Sequence, residues 1–211
     1  MIIKSKMPHF FFDDENSDGI EALNDYFLSW TIRCAVDYEH ENKKVQEYSK
    51  KILTFLIFGE NSNEVVEYIS VNTVKQVKSI DLIAEIKLKK SGKLEKYVLL
   101  FENKQYTNIH SNQLNRYKSF IDSYYSDKNN NKTDYKRKYI FITGLDQVPE
   151  SDKEQCEKAN FEYYTFMELR EKFGDVEETG NYLFDEFWFR YFFYDRGKEN
   201  LPSVKLPPKF I

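Results

Sequence analysis

The stretch from Ile80 to Lys104 constrains this chain more than any other. Two runs of strand-forming residues, Ile80–Lys89 and Leu94–Lys104, flank Ser91-Gly92, a dipeptide suited to a two-residue hairpin turn. A turn centred there pairs residues whose numbers sum to 183, as 81 and 102 do, so Asp81 lies opposite Glu102 on one face. Side chains alternate along a strand with period two, so Lys104 and Glu85 fall on that same face. Tyr97–Phe101 is apolar throughout and predicts a central strand, where terminal charges need a reason to be kept. Facing carboxylates repel unless a cation lies between them, and a divalent ion beside a lysine meets that need. Alone, Asp81 reads as a strand-edge acid paired with Lys78; together, Asp81, Glu102 and Lys104 read as a metal-dependent phosphodiesterase site.

The rest of the chain places this hairpin between helices. Leu23, Phe27, Trp30 and Cys34 recur at helical spacing within 20–36, and Ile52, Phe55 and Leu56 do so within Val45–Phe58, with Gly59 as C-cap. Glu64–Val77 predicts a strand, frayed at Asn72-Thr73. A helix is expected from Thr107 or Asn108 through Tyr125, then a loop over Ser126–Thr133 and a strand over Tyr139–Thr143. Ser151–Lys158 predicts a short helix and Phe161–Tyr164 a strand, and Thr165 with Glu168 forms a capping box. Tyr182–Tyr194 reads as a final aromatic helix. Residues 1–18 read as an irregular lead with a turn near Ser17, and 195–211 as a Pro-rich tail. The expectation is one α/β domain over residues 1–211, a central mixed sheet with helices on both sides.

Composition narrows the classes. At 211 residues the chain can bury a sizeable core. Charges interrupt every apolar run, so no membrane span or signal peptide is read. Cys34 and Cys156 lie far apart without CxxC spacing, which disfavours a zinc site or disulfide framework and implies a cytoplasmic setting. Three histidines leave little room for chemistry built on several imidazoles. A net charge of −4 gives no global attraction for polyanions, so nucleic-acid binding would need local patches.

Lys78-Ser-Ile-Asp81-Leu-Ile, Leu99-Leu-Phe-Glu102-Asn-Lys104 and Gln113-Leu-Asn-Arg-Tyr117 together resemble the PD-(D/E)XK nuclease superfamily. The resemblance is to its bacterial branch with I-D, E-N-K and Q-L-x-R-Y motifs, and covers about residues 20–145. Ile80 replaces the superfamily's proline, and Lys78 stands near the branch's arginine. The resemblance implies a restriction-endonuclease-like core and hydrolysis of phosphodiester bonds in DNA, in defence or repair. It implies that Asp81 and Glu102, with the backbone near Asn103, ligate Mg²⁺ or Mn²⁺ and that Lys104 serves the attacking water. Glu21 matches the family's N-terminal helix acid and would complete the metal site, with Asp25 as its rival. Gln113 and Tyr117, at i and i+4, resemble the helical motif of RecB-like and phage exonuclease members.

Several residues carry two readings. Lys132, Lys136, Arg137 and Lys138, with Tyr124, Tyr125, Tyr135 and Tyr139 interleaved, suit a nucleic-acid surface or a solvated face. Lys87, Lys89, Lys90, Lys93 and Lys96 stud the hairpin. His110 reads as a surface histidine ahead of the glutamine motif. In the final helix Phe184, Phe187, Trp188, Tyr191 and Phe192 form one stripe, a core cap by default and a homodimer interface as the second reading. The rival to an enzyme is a silent nuclease-like fold acting as a nucleic-acid-binding or protein-interaction module.

Overall fold

The structure, a computed structural model, describes residues 20–36, 42–59, 65–105, 108–110 and 112–190. The lead at 1–18, the residues from Tyr191 onward and the Pro-rich tail lie outside the described residues. Five strands form one sheet in the order of the chain: β1 (Val66–Val77), β2 (Ile80–Lys90), β3 (Lys93–Lys104), β4 (Lys136–Thr143) and β5 (Glu162–Thr165). β1, β2 and β3 run antiparallel to their neighbours, while β3, β4 and β5 are parallel, so β3 borders both kinds of pairing.

The β2–β3 hairpin turns at Ser91-Gly92, both at positive φ (49° and 78°), the conformation that matches the twist of paired strands. Its pairs run from Lys90 opposite Lys93 to Leu82 opposite Phe101, each summing to 183 as the sequence implies. A second tight turn, Lys78-Ser79 at φ 54° and 65°, joins β1 to β2 and closes Val77 onto Ile80. β1 is continuous through Asn72-Thr73, and its irregularity is a bulge between Tyr68 and Ser70 instead.

Alternation then sorts the side chains into two cores. Leu82, Ala84, Ile86 and Leu88 of β2 and Leu99 and Phe101 of β3 face one layer of helices: α1 (Ile20–Arg33), α2 (Lys43–Phe58), α5 (Phe166–Glu171) and α6 (Tyr182–Asp185). Ile83, Val98, Leu100, Tyr139 and Phe141 face α3 (Gln113–Ser126) and α4 (Glu150–Ala159). The result is a mixed sheet between helical layers. No helix of the described residues is long and apolar enough to cross a membrane.

Two expected helices are corrected. α3 begins at Gln113, later than Thr107 or Asn108, because Asn112 is left-handed (φ 61°) and the segment before it is tied to α4. There the Ile109 N–H donates to Asp152 Oδ1 at 3.2 Å and Gln155 Nε2 donates to the Ile109 carbonyl. The final aromatic helix is α-helical only over Tyr182–Asp185 and widens to a π-helical turn over Glu186–Arg190. That widening turns Phe184, Phe187, Trp188 and Phe189 all inward, fully buried against Phe27, Tyr48, Phe166 and Phe173. These rings are the chain's own core, so the described part of the stripe offers no homodimer face. The capping box forms as expected: Glu168 N–H donates to Thr165 Oγ1 and Thr165 N–H to Glu168 Oε2.

Candidate active site

The site lies where β2 begins and β3 ends, beneath the first turn of α3. Glu102 is fully buried on the α3 face of β3, and the next residues on that face are Asp81 of β2 and Lys104 of β3. The backbone pairs of the hairpin stop at Leu82 and Phe101; beyond them the Asn103 N–H donates to Asp81 Oδ2 at 2.8 Å. A carboxylate thus takes the place of the next ladder partner and is held toward Glu102. Lys104 Nζ stands 3.0 Å from Glu102 Oε1.

Gln113 and Tyr117 reach the same carboxylate. Gln113 Nε2 donates to Glu102 Oε1 at 2.5 Å and to Tyr117 Oη at 2.9 Å, while its Oε1 accepts the His110 N–H. That last bond fixes which end of the amide faces Glu102. His110 itself is exposed and contributes backbone only.

Asn103 alternates to the opposite face and meets α1, donating from Nδ2 to Asp25 Oδ1 at 3.2 Å and to the Glu21 carbonyl at 3.4 Å. The Glu21 carboxylate accepts the Gln105 N–H at 2.9 Å. Both helix acids therefore approach the end of β3. Among the described residues, no three His, Cys, Asp or Glu side chains are grouped to hold an ion, and Asp81 and Glu102 stand as a pair.

With this arrangement in view, comparison with known proteins is decisive. The sequence profile of the PD-(D/E)XK nuclease superfamily matches residues 2–185. The chain belongs to this superfamily. No curated protein matches it. Among solved structures it is similar to the DNA modification-dependent restriction endonuclease AspBHI, with 14% identity and a TM-score of 0.31. That match covers 71% of this chain and 35% of the endonuclease, so the chain spans about a third of that protein's length. The mixed sheet flanked by helices is the α/β, restriction-endonuclease-like core that membership of the PD-(D/E)XK superfamily implies, and nucleases of this superfamily generally use divalent metals.

The electrostatics of this nuclease core suit such an ion. Burial pushes the Glu102 carboxyl up to about 8, and the neighbouring Asp81 charge adds to the rise. Asp25 is pushed up to about 7, by burial first and then by Asp81. Asp81 is also raised, again chiefly by burial. Burial acts downward on Lys104, but Glu102, Asp81 and Glu21 outweigh it and hold the ammonium form. One cation thus faces several carboxyl groups, and Glu102 Oε2 is buried without a hydrogen-bond donor among the described residues. An orphaned carboxylate oxygen beside a second acid fits a hard divalent cation, which takes oxygen ligands.

The lysine-rich segment sits elsewhere. Lys136, Arg137 and Lys138 on β4 lie opposite Tyr97, Val98 and Leu99, three to seven rows or about 10 to 23 Å from Glu102–Lys104. Each is beside an acid: Lys136 with Glu95 (2.6 Å), Arg137 with Asp122 (3.6 Å) and Lys138 with Glu162 (2.6 Å). Lys132 pairs with Glu85, which also accepts from Tyr125 Oη at 2.6 Å, so Glu85 anchors the loop after α3. Of the hairpin lysines, Lys89, Lys90 and Lys93 crowd the turn at the far end of β2 from Asp81.

Three residues escaped the sequence reading: Asn24, Gln105 and Gly144. Gln105 Oε1 accepts from Asn24 Nδ2 at 2.8 Å, and both side chains are buried. The signal was available, since alternation past Lys104 sends Gln105 to the α1 face with Asn103.

Proposed function

We propose that this protein hydrolyses phosphodiester bonds in DNA with a divalent metal ion, Mg²⁺ or Mn²⁺. The observation that carries the reading is Glu102, a fully buried carboxylate with one oxygen lacking a donor among the described residues, flanked by Asp81, Lys104 and Gln113. In this reading Asp81 and Glu102, with the backbone carbonyl at Asn103, would hold the ion. The bound ion supplies Lewis acidity and a water of lowered pKa. Lys104 would orient the attacking water and offset the negative charge that grows on the phosphoryl oxygens as the water oxygen bonds to phosphorus, its proton passes to solvent and the ester P–O bond breaks. Gln113 keeps Glu102 turned toward the ion, and Tyr117 holds the Gln113 amide. The glutamine–tyrosine pair favours an exonuclease-like enzyme by analogy with the superfamily members that share it.

Glu21 serves the backbone of Gln105, and Asp25 serves Asn103; neither is needed as a direct ligand. DNA affinity comes from the surroundings of the site, because the β4 basic run is distant and paired. A cytoplasmic setting agrees with Cys34 and Cys156, both buried and unbridged, and residues 1–211 act as one nuclease-like domain. The deciding experiment incubates purified protein with single-stranded DNA, duplex DNA and RNA in Mg²⁺, Mn²⁺ or EDTA. Metal-dependent cleavage of DNA is expected. Failure on all three substrates with both ions would leave a nuclease fold that binds without cutting, and cleavage of RNA alone would replace the substrate class.

A further inference from the structure

Beyond the carboxylate pair and its lysine, the backbone around Lys104 is fixed on both sides. The Asn103 N–H is taken by Asp81 Oδ2 at 2.8 Å and the Gln105 N–H by Glu21 Oε1 at 2.9 Å. The Lys104 carbonyl accepts the Gly144 N–H at 3.0 Å, just past the last β3–β4 pair, Lys104 with Thr143. The Gln105 side chain, 2% exposed, completes the hold through Asn24 Nδ2. Gly144 leaves the room for it: a Cβ there would lie 1.8 Å from Gln105 Oε1 and 2.3 Å from its Cδ. Because Gln105 is buried and bonded, that side chain has no free volume to retreat into.

A lysine at the very end of a strand has four rotatable bonds and a backbone that frays, so its ammonium would ordinarily sample many positions. Here the ammonium is held 3.0 Å from Glu102 Oε1. We infer that Gln105 is a positioning residue, which, seated between Asn24 of α1 and Gly144 just past β4, fixes the chain after Lys104 and thereby the place of its ammonium. The inference rests on the catalytic reading of Lys104 given above. It also assigns α1 a purpose beyond packing, since Asn24 and Glu21 both act on Gln105.

The test uses Gln105→Met, which keeps volume and removes the acceptor, and Asn24→Ala, which removes the donor. Each is expected to lower kcat about 10- to 100-fold, the cost of a misplaced catalytic group, with KM and the half-saturating Mg²⁺ concentration unchanged. The two losses should not add, because one bond is removed in both. In a Lys104→Ala background Gln105→Met should cost nothing further. Gly144→Ala should be impaired, and adding Gln105→Ala, which vacates the slot, should bring kcat no higher than that of Gln105→Met. Independently of cleavage, the ¹⁵N-labelled Lys104 ammonium resonance of the metal-free protein should shift and broaden in Gln105→Met. A wild-type kcat and an unmoved Lys104 resonance in Gln105→Met overturn the inference, as does a loss that persists undiminished without Lys104. If Lys104→Ala itself cleaves normally, the catalytic reading falls; if Lys104→Ala is inactive while Gln105→Met is normal, only this inference falls.

Discussion

Replacing Glu102 by glutamine should make the metal-free protein more stable at alkaline pH and leave it nearly unchanged at acid pH. The folded state raises this carboxyl from 4.5 to about 8. A raised folded pKa means that the native state binds the proton more tightly than the unfolded chain does. The associated stability is fully present below pH 4.5 and is lost as the pH rises through about 8. At about 1.4 kcal/mol per unit, the interval sets a ceiling of roughly 5 kcal/mol, and relaxation of the site brings the expectation to ~2–4 kcal/mol. The glutamine amide keeps an oxygen for Gln113 and Lys104 and offers Asp81 a donor where a second carboxyl stood. Urea unfolding in EDTA at half-unit steps from pH 5 to 8.5 measures both curves. The wild type should lose stability across this range, and the difference between wild type and Glu102→Gln isolates the one group, since Asp25, near 7, contributes to both. Saturating Mg²⁺ should then raise the melting temperature of the wild type and leave that of Glu102→Gln almost unmoved. Parallel curves in EDTA would refute the reasoning, for they would mean that Glu102 is ionised at no cost.

Other expectations follow from the same geometry. Asp81→Ala, Glu102→Ala and Lys104→Ala should each reduce metal-dependent cleavage by ~10²-fold or more with circular dichroism unchanged, checked by a fluorescent-oligonucleotide assay. Gln113→Ala removes one of the two donors on Glu102 Oε1, leaving Lys104, and should weaken Mg²⁺ binding about 10- to 100-fold by titration calorimetry, whereas Tyr117→Phe, one contact further out, should have a smaller effect. Reversing Lys136, Arg137 and Lys138 together should leave the salt dependence of DNA binding unchanged within about one unit of slope, because these charges are paired and remote. A filter-binding titration whose slope falls by two or more would return them to the substrate path.

The hairpin was legible because one short turn sets everything downstream of it. A two-residue loop admits a single register, so Ser91-Gly92 alone fixed Asp81 against Glu102. The start of α3 was not legible, because it depends on Asp152 and Gln155, some 40 residues further along the chain, holding Ile109 outside the helix. The pairing of the basic run was not legible for the converse reason. Lys136, Arg137 and Lys138 are neighbours in sequence, but the acids that answer them, Glu95, Asp122 and Glu162, come from three other elements. Gln105 and Gly144 lie in the same category: a glycine ending a strand is ordinary until the side chain that needs its missing Cβ is known.

The packing of the π-helical turn has a bearing on the order of events during synthesis. Trp188 Nε1 donates to Thr31 Oγ1 at 2.9 Å, and the Phe187 ring stacks on Phe27 with centroids 4.7 Å apart. The inner stripe of α1 thus has part of its cover supplied by residues roughly 160 positions later. While the ribosome is still making β4 or α4, that part of the stripe is bare, and the helix that bears Asn24, Glu21 and Asp25 rests on α2 and the first three strands alone. Asp81, Glu102 and Lys104 are all translated by then, but the last of the cover over α1 is not. A nascent chain of this protein therefore holds its carboxylates and its α1 clamp before it holds the aromatic segment that finishes the packing of α1.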